Sequence, residues 1–200
     1  MSITTYQELQ TAVSNWLHRS DLSSYTADFI TLGESRINSS LRVQAMETST
    51  TIAATSAALP SDYIEMKDAF ISSTTPYYDL ERKNAEWIYS KYPDRASTGI
   101  PKFIARDRTN FIFGPAPDSA YSVTVVYYKH LSALSGATNT VFTTYPGLYL
   151  FAALAETAPF LKDDKRVALW EAKYQELFKR VQDEDDREDF SGSILRVTPG

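Results

Sequence analysis

Few side chains in this sequence are placed to do acid–base chemistry. The closest carboxyl pairs are Asp62 with Glu65 and Asp163 with Asp164. Such a pair can act as general acid and general base when its two environments differ. A turn begun by Pro60 explains Asp62 better, and a cap on the following helix explains Asp164 better. An enzyme of unknown type that relies on Asp62 and Glu65 stays open as an alternative.

Imidazole and thiol chemistry is equally scarce. The chain has no cysteine and only two histidines, His18 and His130, which excludes thiol catalysis, disulfides and His-rich or Cys-rich metal sites. His18 is expected at a helix C-terminus, where the helix dipole favours it, and His130 at the surface end of a strand. No nucleophile elbow or phosphate-binding glycine loop occurs. We therefore expect no catalytic residue, no metal site, no cofactor and no enzymatic activity.

A set of aromatic and basic residues in the middle of the chain has the composition of a single-stranded nucleic-acid platform. Its members are Phe103, Arg106, Arg108, Phe111 and Phe113. An alternation with a period of two explains the same aromatic residues as one face of a sheet. We favour a role in the protein core.

The composition is that of an ordinary globular protein. Of the 200 residues, 43% are hydrophobic and 22% are charged, which excludes extensive disorder. The longest apolar run, residues 148–155, is far shorter than a membrane span. The N-terminus lacks the basic, apolar and small-residue layout of a secretion signal. We expect a soluble, non-secreted protein with no membrane partner.

The N-terminal part of the chain has helical periodicity. Thr5 and Glu8 form a capping-box pattern at the start of a helix over residues 6–18. A second helix, over residues 25–42, has Gly33 within its apolar stripe. Glycine costs about 1 kcal/mol relative to alanine in a helix, so we expect it to allow a close approach of another helix.

The C-terminal part is also helical. One helix begins at Pro146, because proline suits a first turn, and is kinked or ended by Pro159. The last helix has apolar residues spaced by three and four positions, a narrow seam typical of antiparallel helix packing. These residues are Val167, Trp170, Tyr174, Leu177 and Val181.

The middle of the chain changes to a period of two, which predicts strands. A Thr/Ser/Ala-rich stretch, 48–58, predicts an edge strand and a loop, and residues 82–92 predict one short helix. Residues 114–118, Gly-Pro-Ala-Pro-Asp, are expected to form a rigid connector outside any sheet, because proline lacks the donor that a ladder needs. The other extended segments are 63–71, 103–106, 111–113 and 121–128.

These patterns together predict an α+β fold. A discontinuous antiparallel helical bundle is expected from residues 1–45 and 144–183 of the two chain ends. Residues 46–143 are expected to form an inserted β-rich subdomain, and residues 184–200 an extended C-terminal arm.

The negative charge is concentrated in the last part of the chain. The net charge is −5, and residues 183–200 carry six acidic side chains against two arginines. The rest of the chain is nearly neutral, which argues against a dedicated grip on nucleic-acid phosphates. Spaced apolar residues follow the acidic run, as in a segment that becomes ordered only on a partner. They are Phe190, Ile194, Leu195 and Val197.

Three groups of short motifs span nearly the whole chain. The first is Trp16-Leu17, Arg19, Asp21-Leu22, Asp28-Phe29-Ile30, Leu32, Glu34, Arg36-Ile37-Asn38 and Leu41-Arg42. The second is Leu59-Pro60-Ser61-Asp62-Tyr63, Gly99-Ile100-Pro101, Pro115, Pro117 and Tyr127-Tyr128. The third is Tyr145-Pro146, Leu148-Tyr149-Leu150, Ala152, Leu154, Pro159, Leu161-Lys162-Asp163-Asp164, Trp170 and Tyr174. Their order and spacing resemble the head-to-tail adaptor proteins of podovirus-like tailed bacteriophages, also called gateway or tail tubular A-type proteins.

This resemblance implies a virion structural protein of the neck and tail that is assembled in the host cytoplasm. Twelve identical subunits would form a ring between the portal protein and the tail or nozzle proteins, lining the exit channel of double-stranded DNA. The bundle would build the ring wall, the β insertion would meet tail proteins, and the C-terminal arm would dock on the portal. Gly33, Ser39 and Gly147 depart from the family's usual residues, which would alter subunit contacts without threatening the fold.

Two sets of partner contacts follow from this interpretation. Glu34, Arg36 and Arg42, expected on the solvent side of the second helix, are the candidate subunit-interface residues. The candidate portal-binding residues are Asp186, Phe190, Ile194, Leu195 and Val197. DNA would pass without sequence-specific binding, because strong phosphate contacts in the lumen would hold it back.

A different class of function stays open beside the adaptor. The chain would then be a monomeric ligand-binding module of a phage particle that binds a glycan or a peptide. It would use exposed tyrosines, and the candidates are Tyr77, Tyr78 and Tyr92.

Overall fold

The protein has a mixed α+β fold in a computed structural model that describes residues 3–161 and 165–190. The helices are α1 (Tyr6–Leu17), α2 (Thr26–Ser40), α3 (Ala85–Lys91), α4 (Thr140–Thr144), α5 (Pro146–Ala155) and α6 (Lys165–Phe190). The strands are β1 (Glu47–Ala53), β2 (Tyr63–Ile71), β3 (Tyr78–Asp79), β4 (Glu81–Arg82), β5 (Thr98–Gly99), β6 (Phe103–Asp107), β7 (Asn110–Gly114), β8 (Ala116–Pro117) and β9 (Ser122–Lys129). Short 3-10 turns occupy Ser20–Tyr25, Gln44–Met46 and Ala158–Phe160.

The described residues form two compact units. The helical unit contains the residues up to 45 and those from 131 onward, and the β unit contains residues 46–130. The sequence-based division places its boundaries at 46 and 144, and in the structure residues 131–143 are part of the helical unit. In addition, α6 continues to Phe190, beyond the expected start of an extended arm at 184.

The first helix begins with the predicted capping box. The Thr5 hydroxyl accepts a hydrogen bond from the Glu8 amide at 3.2 Å, and the Glu8 carboxylate accepts one from the Thr5 amide at 3.1 Å. Hydrogen bonds from Thr4, and further ones from Thr5, lower the pKa of Glu8. The helix ends at His18, whose φ of 51° lies in the left-handed region and turns the chain out of the helix. His18 is exposed there, which confirms its expected position.

The fifth helix is the centre of the helical unit. It packs against α1, α2 and α6, and seven of its ten residues are buried. A helix that is apolar on all sides is stable in water only when other helices cover it. The buried side chains of α1, α2 and α6 supply that cover, and they are Leu9, Val13, Leu17, Phe29, Ile30, Ile37, Trp170, Tyr174 and Val181.

The second and fifth helices approach each other closely at Gly33. A Cβ atom at this position would lie 2.9 Å from the backbone nitrogen of Ala153 and 3.1 Å from the Cβ of Ala152. Both distances are too short for an ordinary carbon contact, so the backbones are as near as they are because residue 33 has no side chain. The sequence-based expectation of a close helix approach at Gly33 is confirmed.

The β unit contains three small sheets. Strands β1, β9, β2 and β3 form an antiparallel sheet in that order, with β1 at the predicted edge. Strand β6 pairs in parallel with β4 and antiparallel with β7, and β5 pairs in parallel with β8. One face of β9 contributes the buried residues Val123, Val125 and Tyr127, as the alternation predicted. They pack in one core with buried residues of the neighbouring strands, including Met66, Ile71, Ile104, Phe111 and Phe113.

The proline-rich connector differs from its prediction. Ala116 and Pro117 pair with Thr98 and Gly99 as a two-residue parallel ladder, so the connector is not outside every sheet. Gly114 also pairs with Phe103 as the last residue of β7. A two-residue edge ladder tolerates proline, because the missing amide donor can lie on the unpaired side.

A methyl group at position 33 should destabilise the helical unit. We expect Gly33→Ala to lower the free energy of unfolding by about 1–2 kcal/mol, because overpacking outweighs the gain of about 1 kcal/mol in helix propensity. Urea unfolding followed by circular dichroism measures the change. Gly136→Ala is the matched control, since a Cβ at that position meets no atom within 4 Å. Equal stability of the two variants would contradict the close-approach account.

Candidate functional site

The first predicted interface residue, Glu34, lies inside the helical unit. Its relative exposure is 9%, so the prediction that it faces solvent is wrong. The carboxylate accepts a hydrogen bond from the amide of Leu134 at 2.7 Å. Burial raises the pKa of Glu34, while this hydrogen bond opposes the rise. Glu34 therefore binds a segment of its own subunit that is one hundred positions later in the chain.

A second side chain of α2 binds the same segment. Asn38, one helical turn beyond Glu34, accepts a hydrogen bond from the amide of Leu131 at 2.7 Å. Asn139, at the end of this segment, donates a hydrogen bond from its side-chain nitrogen to the carbonyl oxygen of Ser132 at 3.1 Å. Its side-chain oxygen accepts a hydrogen bond from the Phe142 amide at 2.8 Å and thereby caps α4. We call residues 131–139 the return segment. These polar contacts are the physical reason that the helical unit begins at 131 rather than at 144.

The second predicted interface residue, Arg36, joins three parts of the helical unit. Its guanidinium makes two hydrogen bonds to Glu171 of α6, at 2.8 and 2.5 Å, and lies 3.4 Å from Glu156 beyond α5. It also lies over the ring of Tyr174, 4.3 Å from the centroid. The hydrogen bonds from Arg36 lower the pKa of Glu171. A bidentate, stacked and half-buried arginine of this kind has a structural role inside the subunit.

The third predicted interface residue, Arg42, follows the end of α2. Its guanidinium donates to the carbonyl oxygens of Asn38 and Leu41, at 3.2 and 2.6 Å. A cation at this position satisfies the last carbonyl groups of a helix and suits the helix dipole. All three predicted residues are thus engaged within their own subunit, and their part in contacts between subunits stays a prediction.

The predicted portal-binding residues fall in two groups. Asp186 is exposed on α6, and Phe190 is the last residue of that helix. Ile194, Leu195 and Val197 lie outside the described residues.

The acidic residues just before Asp186 contact the helical unit. The Gln44 amide donates to Asp185 at 2.8 Å, and the Tyr145 hydroxyl donates to Glu184 at 2.7 Å. The hydrogen bond to Glu184, together with burial, raises the pKa of Tyr145 to about 12. The acidic run is therefore part of α6, and two of its side chains contact their own subunit.

The candidate acid–base pair is divided between two partners. Asp62 accepts a hydrogen bond from the Tyr127 hydroxyl at 3.0 Å, and burial together with this bond raises the pKa of Tyr127 to about 12. Glu65 lies 3.7 Å from Arg82. Each carboxylate has its own structural contact, which gives no support to a shared-proton site.

The remaining chemically reactive candidates stand apart from one another. His130 is exposed and follows β9 directly, which confirms its expected place at the end of a strand. Asp163 and Asp164, including the expected cap of α6, lie outside the described residues.

Within residues 3–161 and 165–190, no group of three or more His, Asp or Glu side chains is arranged to hold a metal ion. In the same part of the chain, no helix is both long and apolar enough to cross a bilayer.

The tyrosines of the ligand-binding alternative have different neighbours. Tyr77 and Tyr78 are 67% and 49% exposed, and Tyr77 contacts the ring of Phe70 in β2. Tyr92 is only half-exposed and lies against Gly114 at the end of β7, where a Cβ would come within 2.9 Å of its ring. These residues therefore lie against different sheets of the β unit.

The β unit has a groove that sequence reasoning missed. It has a volume of about 680 Å³ and is lined by residues of β2, β4, α3 and β6. Its charged and aromatic lining residues are Tyr63, Glu65, Arg82, Lys83, Trp87 and Arg106. Three separate segments supply these side chains, so no local motif marks the groove. The sequence pointed to this groove only through Arg106, which belongs to the aromatic and basic set described above.

The comparisons with known proteins agree with the resemblance found in the sequence. They define the class of the protein as a tailed-phage adaptor with a structural role. This class is not a known class of enzyme. Residues 4–197 match the family described as SU10 adaptor protein, and because this is nearly the entire chain, the protein belongs to that family. Membership implies association with other virion components and a place in the virion neck. No curated protein matches the chain.

The buried carboxyl of Glu34 gives a pH-dependent prediction. A raised pKa means that the folded state binds a proton more tightly than the unfolded state, so ionisation of Glu34 opposes folding as pH rises through its pKa. Glu34→Gln keeps an acceptor for the Leu134 amide without the charge. It should be more stable than the native protein at pH 7.5, and this difference should shrink at pH 4.5.

The alanine variant separates the charge from the hydrogen bond. Glu34→Ala leaves the buried Leu134 amide without its acceptor and should cost about 1–3 kcal/mol. Urea unfolding of both variants at the two pH values measures these effects. A glutamine variant that is as unstable as the alanine variant would show that the ionised carboxylate itself is required.

The network around Arg36 gives a second stability prediction. Arg36→Ala removes a bidentate pair and a stacked guanidinium that are partly screened by solvent, and should cost about 1–2 kcal/mol. Lys173→Ala removes the exposed ion pair with Glu176 on α6 and should change stability by less than about 0.5 kcal/mol. Thermal unfolding measured side by side checks this order. Equal shifts in the two melting temperatures would place Arg36 among ordinary surface charges.

Proposed function

We propose that this protein is the head-to-tail adaptor of a tailed bacteriophage. Twelve copies form a ring between the portal and the tail, and the ring lines the channel through which double-stranded DNA leaves. The observation that carries this proposal is the match of residues 4–197 to the SU10 adaptor protein family. Subunits reach the neck after synthesis in the host cytoplasm.

The helical unit supplies the wall of the ring as a discontinuous antiparallel bundle. Two of its large apolar side chains, Trp16 and Leu169, are 45% and 57% exposed. Large exposed apolar residues are typical of protein interfaces. With Glu34 and Arg36 engaged inside the subunit, Trp16 and Leu169 are stronger candidates for contacts between neighbouring subunits. A ring requires two different faces that fit each other, so these residues meet a different surface of the next copy.

The C-terminal segment binds the portal, and the β unit contacts the tail or nozzle proteins. Glu184 and Asp185 hold the end of α6 against Tyr145 and Gln44 of the same helical unit. Asp186 and Phe190 follow these contacts, and Ile194, Leu195 and Val197 continue the segment toward the portal. The near-neutral body of the chain suits a channel through which DNA slides without being held.

Binding to portal particles tests the proposal. The full chain should co-sediment with portal particles of the same phage and give closed twelvefold rings in negative-stain electron microscopy. Changing Ile194, Leu195 and Val197 together to serine should weaken co-sedimentation by about tenfold or more, because few apolar anchors carry most of an interface's affinity. Changing Tyr77 and Tyr78 to serine is the control and should leave portal binding intact.

Two results would count against the proposal, and they address different parts of it. If the triple serine variant co-sediments like the native chain, the C-terminal segment does not dock on the portal. If the native chain stays monomeric by light scattering with portal particles present, the ring is wrong and the monomeric ligand-binding alternative gains support.

A further inference from the structure

The groove of the β unit carries a charged site that ring formation and portal binding do not use. We propose that it binds an extended acidic segment of a partner protein, with carboxylates at alternate positions of that segment. The inference rests on the proposed function, because it gives the recognition chemistry of the surface that we assign to tail proteins. Its support comes from the placement of three cations.

Arg106 is the least compensated of these cations. Its guanidinium lies over the ring of Tyr63, 5.6 Å from the centroid, and its Nε donates to the carbonyl oxygen of Arg108 at 3.2 Å. Among the residues that the structure describes, no carboxylate forms an ion pair with Arg106. The side chain is exposed, yet the ring and the carbonyl oxygen hold it in one place. An arginine positioned in advance loses little entropy when it binds a carboxylate.

The other two cations lie along the same groove. Arg82 donates to the carbonyl oxygen of Met66 at 2.9 Å, which fixes its guanidinium, and its ion pair with Glu65 is long at 3.7 Å. Lys83 lies over Trp87, 5.3 Å from the ring centroid, and pairs with Glu81. Arg82 can therefore donate a hydrogen bond to a further acceptor. Lys83 contributes mainly to the positive electrostatic potential of the groove.

The spacing of the two arginines sets the form of the ligand. Arg82 of β4 is in register with Ile104 of β6, and Arg106 is two residues further along β6. Ladder geometry puts the two Cα atoms about 8 Å apart. Carboxylates at positions i and i+2 of an extended peptide are about 7 Å apart on one side of the chain. An extended segment with alternate acidic residues can thus meet both arginines at once.

The groove favours carboxylates over single-stranded nucleic acid. Base stacking needs free aromatic faces. The ring of Tyr63 is already contacted by Arg106, Phe111 and Tyr127, and the ring of Trp87 by Lys83 and Phe103. The β unit as a whole has nine basic and ten acidic side chains, so no general positive field attracts a polyanion. What the groove offers is local positive charge at fixed positions.

Fluorescence anisotropy with the full-length protein tests this inference. The probe is a fluorescein-labelled peptide in which glutamate alternates with serine, at low ionic strength. We expect Arg106→Ala to weaken binding about fivefold, and Arg106→Glu to weaken it further, as expected for loss and reversal of one charge contact. Lys102→Ala removes an exposed positive charge from the same unit outside the groove and should change affinity less than about twofold. Circular dichroism confirms that each variant is folded.

Three outcomes would overturn the inference. Equal losses for Arg106→Ala and Lys102→Ala would show bulk electrostatic attraction instead of a site. Equal binding of a peptide with glutamine in place of glutamate would show that carboxylates are not recognised. Tighter binding of a single-stranded oligothymidylate of the same charge would identify a nucleic-acid site. Portal co-sedimentation uses other residues, so either proposal can fail while the other stands.

Discussion

The approach of α2 to α5 at Gly33 is the contact on which the helical unit depends. The two helices come from opposite sides of the β unit in the sequence, and residues 46–130 lie between the two parts of the chain. Closing the chain around an insertion of this length carries an entropic cost, which the buried surface of the closed unit must offset. Gly33 lets the backbone of α2 reach Ala152 and Ala153, so the apolar residues on either side of it can pack fully.

The same approach determines where the charges of α2 lie. With α2 held against α5, Glu34 and Asn38 meet the return segment, and Arg36 meets Glu171 of α6. These partners are between 93 and 135 positions away in the sequence. Helix register therefore converts three polar residues, which would face water on an isolated helix, into links within the subunit. The absence of a side chain at position 33 thus acts on the fold of the helical unit itself.

Local patterns predicted most elements of this fold because local physics decides them. The capping box at Thr5, the period-two alternation of β9 and the full extent of β2 all follow from neighbouring residues. Helix α4 was missed, although Asn139 caps it and Val141 and Phe142 are buried in it. Five residues are too few for periodicity to reveal, and tertiary contacts with α2 hold the return segment in place.

The candidate site was harder to predict, because distant partners decide where a charged residue lies. The charge of Glu34 by itself favours a position that faces solvent. Its position with Ile30, Ile37 and Leu41, at spacings of four, three and four, does place it on the buried stripe. That signal was present in the sequence. No corresponding signal existed for the bond from Arg36 to Glu171 or for the groove around Arg106, since their residues come from separate segments.

The two units consequently present different chemistry to partners. The helical unit uses many of its charges internally, and the exposed side chains that remain for binding include the apolar Trp16 and Leu169. The β unit packs buried residues of several strands in one core and leaves Arg106 exposed at a groove, where no carboxylate of the described residues forms an ion pair with it. Apolar surface favours permanent association between like subunits, whereas positioned charge gives selectivity toward a particular partner. In the adaptor that we propose, the helical unit would supply the surface for association between subunits, and the β unit would supply the surface for selective binding of a partner.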